Sequence, residues 1–406
     1  MIAHVLIALI ALLAAAKLGG ALAEQLGQPA VLGELLAGIG VGALPLLGVT
    51  GLAFAAHDQV VEALAELGVI LLLFEVGLST RLADLMKVGL SAFLVATIGV
   101  LVPMALGYAL SLWLLPGRHP YVPLFLGATL CATSVGITAR VLKDMGRVQT
   151  AEGQIILGAA VIDDVMGLLV LAVMVGLVGG SRASTGVTIA LVSGKAVGFI
   201  VGALLLGRAL APHLFRLTSR LKGRGVVFTA ALLTCFVLSW VAHAVGLAPI
   251  VGAFAAGLVL EGVPFDRILP EGDRLEDLLL PLSTFLVPIF FVRMGLQVNL
   301  SQLAGGSALL ALALTGAAIL GKQACALAVV TRGADRWTVG LGMIPRGEVG
   351  LIFAGIGLSL TLDGAPLLRP GEFAAVVAMV LLTTVLTPPL LRWRLGHEAP
   401  PLPQSA

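Results

Sequence analysis

Charge is what this sequence lacks. Of its 406 residues, 11% are Asp, Glu, Lys or Arg and 59% are hydrophobic, where an ordinary soluble domain is roughly a quarter charged. That scarcity excludes a soluble globular protein and leaves no stretch for a soluble regulatory domain. Cysteine is scarcer still: Cys131, Cys235 and Cys325 are odd in number and scattered through apolar runs, so neither a disulfide framework nor a metal cluster is suggested, and no cofactor is expected. A formal net charge of +2 points to no nucleic-acid partner. The opening run, MIAHVLIALIALLAAAKLGGALAE, lacks the basic n-region of a signal peptide and its apolar part is long. It reads as a first membrane helix, although the ALA before Glu24 resembles a cleavage site.

What is present is a succession of apolar stretches, each long enough to cross a ~30 Å hydrocarbon core as a helix. About 13 such spans can be marked off by their Pro, Gly and charged breaks, which makes this an all-α polytopic membrane protein. Lys and Arg between the spans crowd onto one side, with Arg118, Arg182 and Arg369 the exceptions on the other. Basic residues are retained in the cytoplasm, so the N-terminus is expected outside and the C-terminus inside. Three motifs recur seven spans apart: QPAVLGELLAG with LAPIVGAFAAG, LFEVGL with FVRMGL, and SVGI with EVGL. An odd offset reverses direction, so the two halves are expected to be inverted-topology repeats.

Four basic residues, Lys195, Arg293, Lys322 and Arg346, fall within spans, and so do several acids. A charge at the bilayer centre costs at least ~2.5 to 3.5 kcal/mol, which makes each a functional candidate with a partner to be found. Asp163 and Asp164 stand side by side in VIDDVMGLLV, bracketed by Gly158 and Gly167. Helix neighbours point about 100° apart, so one carboxylate can face a cavity while the other faces an adjacent helix. Lys322, in AAILGKQACALAV, is the natural counter-charge, either as a static salt bridge or as a group that changes partners. Thr133, Ser134 and Thr138 in CATSVGITAR, and Pro345 and Gly347 in GMIPRGEVG, suggest two broken helices whose free carbonyls and dipole ends could bind small ions. Arg346 and Glu348 would balance those dipole ends or bind other helices. Glu75 and Arg293 each precede a repeat-equivalent glycine by two residues, and are expected to pair with each other across the pseudo-two-fold axis in a structural role.

Taken together, GQPAVLGELLAGIGVG, LLLFEVGLSTRLADL, LGATLCATSVGITARVL, ILGAAVIDDVMGLLVLAV, GLAPIVGAFAAGL, VPIFFVRMGL, ILGK and PRGEVGLI resemble the monovalent cation:proton antiporter-2 family, in particular its NapA-type sodium/proton antiporters. The resemblance runs over nearly the whole chain with the motifs in family order. It implies that Asp164 binds the cation (Na+ or Li+), that Asp163 pairs with Lys322, and that spans 5 and 12 are the crossed, unwound helices, with Thr133 and Ser134 lining the site. It further implies a homodimer in the plasma (inner) membrane of a prokaryote, in contact with membrane lipids. The dimerisation part would cover approximately 1–48 and 186–261, and an elevator-like core 60–178 and 279–395, within one transporter unit of 1–406. Two aspartates, rather than Asn-Asp, are associated with electrogenic exchange. Potassium-efflux relatives carry a C-terminal nucleotide-binding domain, and none is expected here. The chain departs from the family pattern at Glu75 and Arg293, where apolar residues are usual, and at Ser79, where an acid is common.

The expected activity is secondary active export of sodium against inward protons, with potassium/proton exchange or potassium efflux as the alternative. A sodium-coupled symporter on the same fold would not need the Asp-Asp-Lys set. An intramembrane aspartyl protease needs its two acids on facing helices, which neighbours on one helix cannot provide.

Overall fold

The computed structural model describes residues 2–47, 53–56, 58–178, 185–218, 225–263, 265, 274–296, 307–362 and 365–396. The first half of the described chain holds α1 (Ile2–Gln25), α2 (Ala30–Ala43), α3 (Gln59–Leu78), α4 (Leu82–Lys87), α5 (Gly89–Leu114), α6 (Tyr121–Thr129), α7 (Val135–Asp144) and α8 (Ala151–Val178). The second holds α9 (Thr185–Thr218), α10 (Val226–Ala244), α11 (Pro249–Glu261), α12 (Leu275–Leu296), α13 (Ser307–Gln323), α14 (Arg336–Gly342), α15 (Glu348–Ser359) and α16 (Pro370–Gly396). A two-residue antiparallel hairpin, β1 (Thr361–Leu362) with β2 (Ala365–Pro366), joins α15 to α16.

Among the described residues, eight helices are long and apolar enough to cross a membrane by themselves: α1, α5, α8, α9, α10, α12, α13 and α16. The remaining expected spans fall on short helices (α2 and α11), on helices broken in the middle (α6 with α7, α14 with α15), and on α3, whose Glu62, Glu66 and Glu75 interrupt its apolar run. Thirteen crossings therefore cannot be counted from helix length alone. Large apolar side chains face outward along these helices, as at Ile10, Leu22, Leu205 and Leu320, because lipid rather than water surrounds them. Trp113, Trp240, Trp337 and Trp393 are all exposed and all lie near helix ends, where their amphipathic rings suit the membrane interface.

The inverted repeat is visible in how the glycines pack. Gly27 (φ 69°) and Gly246 (φ 92°) end α1 and α10 in the left-handed conformation that a glycine tolerates. In each case the next residue's amide reaches back into the last turn: Gln28 to the Ala23 carbonyl at 2.8 Å, Leu247 to that of Ala242 at 2.9 Å. The short helix that follows then docks through a glycine on the helix of the opposite half. Gly38 of α2 meets the backbone of Val292 and Gly295 in α12, and Gly257 of α11 meets that of Phe74 and Gly77 in α3. A Cβ at either position would strike a backbone carbonyl. Small residues permit such close contact, and in lipid the resulting van der Waals fit holds helices together.

These contacts assemble a panel of α1, α2, α3, α10, α11 and α12, with α9 along α11. A second body is built from α5, α6, α8, α13, α15 and α16, with α7 and α14 inside it. The expected division put residues from 60 and from 279 into the core part; in the packing, α3 lies lengthwise on α11 and α12, and α12 on α2. Hydropathy marks where a helix is, not which neighbour its small residues fit.

Candidate functional site

Both short half-helix pairs stop in mid-body, and each break supplies what the other lacks. The last carbonyls of a helix have no partner within it. Just past the end of α6, in the break, the carbonyls of Cys131 and Ala132 accept hydrogen bonds from Nη1 of Arg346, at 3.3 and 2.8 Å. At the end of α14, the Gly342 carbonyl accepts from the Thr138 hydroxyl at 2.7 Å and that of Met343 from Thr133 at 3.4 Å. The breaks also touch directly, the Ser134 amide donating to the Pro345 carbonyl at 2.8 Å. Gly347 is required beside it, since a Cβ there would lie 2.5 Å from the Ser134 hydroxyl. A fully buried arginine thus sits against the negative end of one half-helix dipole.

Beside the crossing runs α8 with the two aspartates. Asp163 has no exposed surface; its Oδ2 accepts the Thr133 amide, which lies just ahead of the start of α7, at 2.7 Å. Nζ of Lys322, equally buried near the end of α13, donates to Asp163 Oδ1 at 3.1 Å and to Oδ2 at 3.3 Å. Asp164 is turned elsewhere. It lines a small cleft with Val135, Leu157 and Val161 from its own body and Leu73, Ile250, Val251 and Phe254 from the panel. The 100° between neighbours thus gives one carboxylate a cationic partner and the other a place on the seam between the bodies.

Thr133 and Ser134 lie in the first break and Arg346 in the second; the Glu348 side chain lies outside the described residues, although its backbone begins α15. Sequence reading missed Thr383 and Thr384 of α16. The first accepts the Arg346 amide at 3.3 Å, and the second donates to the Arg346 carbonyl. Two adjacent hydroxyls in an apolar span were the available signal.

The expected pairing of Glu75 with Arg293 is not what forms. Glu75 is bound by Lys143 of α7 and by the Ser283 hydroxyl at 2.8 Å, while Arg293 donates to Glu62 at 2.6 Å. The cause is the inversion itself. Because α3 and α12 run antiparallel, with Gly68 against Leu286, residues equivalent in the repeat lie toward opposite ends of the pair. Each charge therefore finds a partner at its own end.

Comparison with known proteins places this architecture. The profile of the family described as sodium/hydrogen exchanger, transmembrane, matches residues 8–393. The chain belongs to that family. Among curated relatives of this exchanger, the high-affinity Na(+)/H(+) antiporter NhaS3 of Synechocystis sp. is 39% identical, over 96% of this chain and 90% of its own. The Na(+)/H(+)-K(+) antiporter GerN of Bacillus cereus is 35% identical, over 95% of each. Among solved structures, the sodium proton antiporter MjNhaP1 of Methanocaldococcus jannaschii shares the fold, with a TM-score of 0.66 over 97% of both chains at 19% identity.

Proposed function

We propose that this exchanger moves sodium, or lithium, across the membrane in return for protons, and that Asp164 is the carboxylate over which the two compete. The observation that carries the reading is the division between the aspartates: Asp163 is neutralised by Lys322, while Asp164 lies in the cleft between the two bodies. A carboxylate binds either a proton or a sodium ion, and exclusion of double occupancy couples their movements. If only the charge-neutralised site crosses the low-dielectric barrier, inward protons can drive sodium out.

The two bodies suit an elevator motion in which the panel stays fixed and α5–α8 with α13–α16 carries the site. Exposed leucines of α1, α9 and α10 give the panel an apolar outer side on which a homodimer can form. The crowding of basic residues supports an external N-terminus and a cytoplasmic C-terminus in an inner membrane. Exchange is electrogenic if a cation reaching Asp163 frees Lys322 to lose its proton. Potassium as a further substrate is favoured by one observation, the Na(+)/H(+)-K(+) exchange named for the GerN relative.

The test is proton flux in proteoliposomes against a series of monovalent cations, with and without a voltage clamp. Asp164→Asn is expected to abolish cation-dependent flux in a folded protein, and retained exchange would overturn the assignment.

A further inference from the structure

The ammonium of Lys322 occupies space that α5 leaves open. The two helices touch at two glycines, one from each side. Gly321 of α13 backs onto Pro103 of α5, so that a Cβ at 321 would lie 2.7 Å from the Pro103 Cα. Gly99 of α5 backs onto the lysine: a Cβ there would lie 3.1 Å from Lys322 Nζ, 3.5 Å from its Cδ and 2.9 Å from Cys325 Sγ. Pro103 has no amide hydrogen, so the Gly99 carbonyl goes without the bond from the residue four positions on. On this face α5 offers the ammonium bare backbone. Gly99 ends no helix and is not among the glycines with positive φ, and glycine inside a helix costs about 1 kcal/mol relative to alanine. The charged and titratable groups facing the ammonium are Asp163 from α8, Arg346 and Cys131 from the two breaks, and Cys325 from the turn after α13. None of these comes from α5.

We infer that Gly99 is a positioning residue for the exchange: by omitting one methyl group, it fixes where the Lys322 ammonium stands relative to Asp163. The 2.9 Å contact with Cys325 is closer than real Cβ atoms come, and the 3.1 Å contact with Lys322 is tight enough that the ammonium must give by a few tenths of an ångström; the end of a lysine yields before a helix backbone does. Its bonds to Asp163, 3.1 and 3.3 Å long, are already at the long end of the useful range. A further few tenths of an ångström weakens both. Asp163, next to Asp164 on the same helix, is then held less firmly.

The inference rests on the exchange reading above. Sodium-driven proton flux is measured at neutral pH over a sodium series for the wild type, for Gly99→Ala, and for Gly99→Ala combined with Cys325→Ala. The second change removes the sulfur in the way of the new methyl group and leaves the conflict with Lys322 untouched. A packing defect is thereby relieved, and a positioning defect is not. The expected result is an apparent KM for sodium at neutral pH raised about threefold or more in both variants, with kcat within about twofold. The double variant recovers thermal stability only. A wild-type KM in Gly99→Ala, or its return in the double variant, overturns the inference. Failure of both variants to assemble overturns it too, since Gly99 would then be a packing residue. Failure of the exchange reading shows separately, as absence of sodium-dependent flux in the wild type.

Discussion

Removing Lys322 alone should cost more than removing its charge together with that of Asp163. Both side chains are fully buried, so Lys322→Gln leaves a carboxylate in the interior without its ammonium. Breaking a buried pair from one side costs about 3–5 kcal/mol, while replacing both partners with neutral groups is often neutral or stabilising. Here Asp163 keeps the Thr133 amide at 2.7 Å, and a hydrogen bond to a charged group is worth about 1.5–3 kcal/mol. That points to the lower end, about 3 kcal/mol for the single variant. Asp163→Asn with Lys322→Gln should recover most of it, because Asn can still accept from Thr133. The assay is thermal unfolding of the purified protein in detergent. At roughly 2 °C per kcal/mol for a chain of this size, the single variant melts about 6 °C below wild type and the double within about 2 °C of it. If Lys322→Gln melts no lower than the double variant, the pair is not a mutually neutralised unit and the reasoning fails.

Other consequences are open to measurement. Exchanging the charges of Glu75 and Lys143 (Glu75→Lys with Lys143→Glu) should give higher membrane yield than either single change, whereas the same exchange between Glu75 and Arg293 should give no recovery. Asp335 caps α14 by accepting from the Trp337 and Thr338 amides, so Asp335→Ala should cost about 1 kcal/mol, read as a drop in melting temperature. Its carboxyl lies outside the spans; burial would raise its pKa, but hydrogen bonds from Arg394 and Thr338 prevail and hold it at about 2, below the ordinary 3.8. A depressed acid stabilises above the unfolded value. The contribution of Asp335 is therefore whole at neutral pH and lost only as pH falls from about 3.8 through about 2. An Arg394→Gln protein should accordingly differ from wild type in stability at neutral pH and converge with it in strong acid. Phe254→Ala thins the apolar wall beside Asp164, and is expected to raise proton leak in liposomes without added cation.

Much of the site could be read before any coordinates, for reasons of cost. Asp163, Asp164, Lys322 and Arg346 stand out because a charge inside a membrane span is expensive, the second break because Pro345 and Gly347 interrupt an apolar run, and the first by the hydroxyls of Thr133, Ser134 and Thr138. The structure places Lys322 on Asp163 and Arg346 on the end of α6. What could not be read is which surfaces meet. The sequence holds the repeat but not the consequence of its inversion, so Glu75 and Arg293 were matched by equivalence rather than by depth. In the same way nothing in the sequence of α3 and α12 says that Gly77 and Gly295 fit them to α11 and α2. Thr383 and Thr384 give only a faint signal in the sequence, because a hydroxyl is cheap to bury and its role shows only with its partner.

The panel glycines have a consequence for how this protein can vary. Where backbone lies on backbone, as between Gly38 and Gly295 or Gly77 and Gly257, no rotamer can absorb a new side chain. The leucines facing lipid, by contrast, accept any apolar shape. A saturation mutagenesis map should therefore be nearly binary: Gly38, Gly77, Gly257 and Gly295 admit one amino acid, while lipid-facing positions such as Ile10, Leu22, Leu205 and Leu320 admit almost any hydrophobic one.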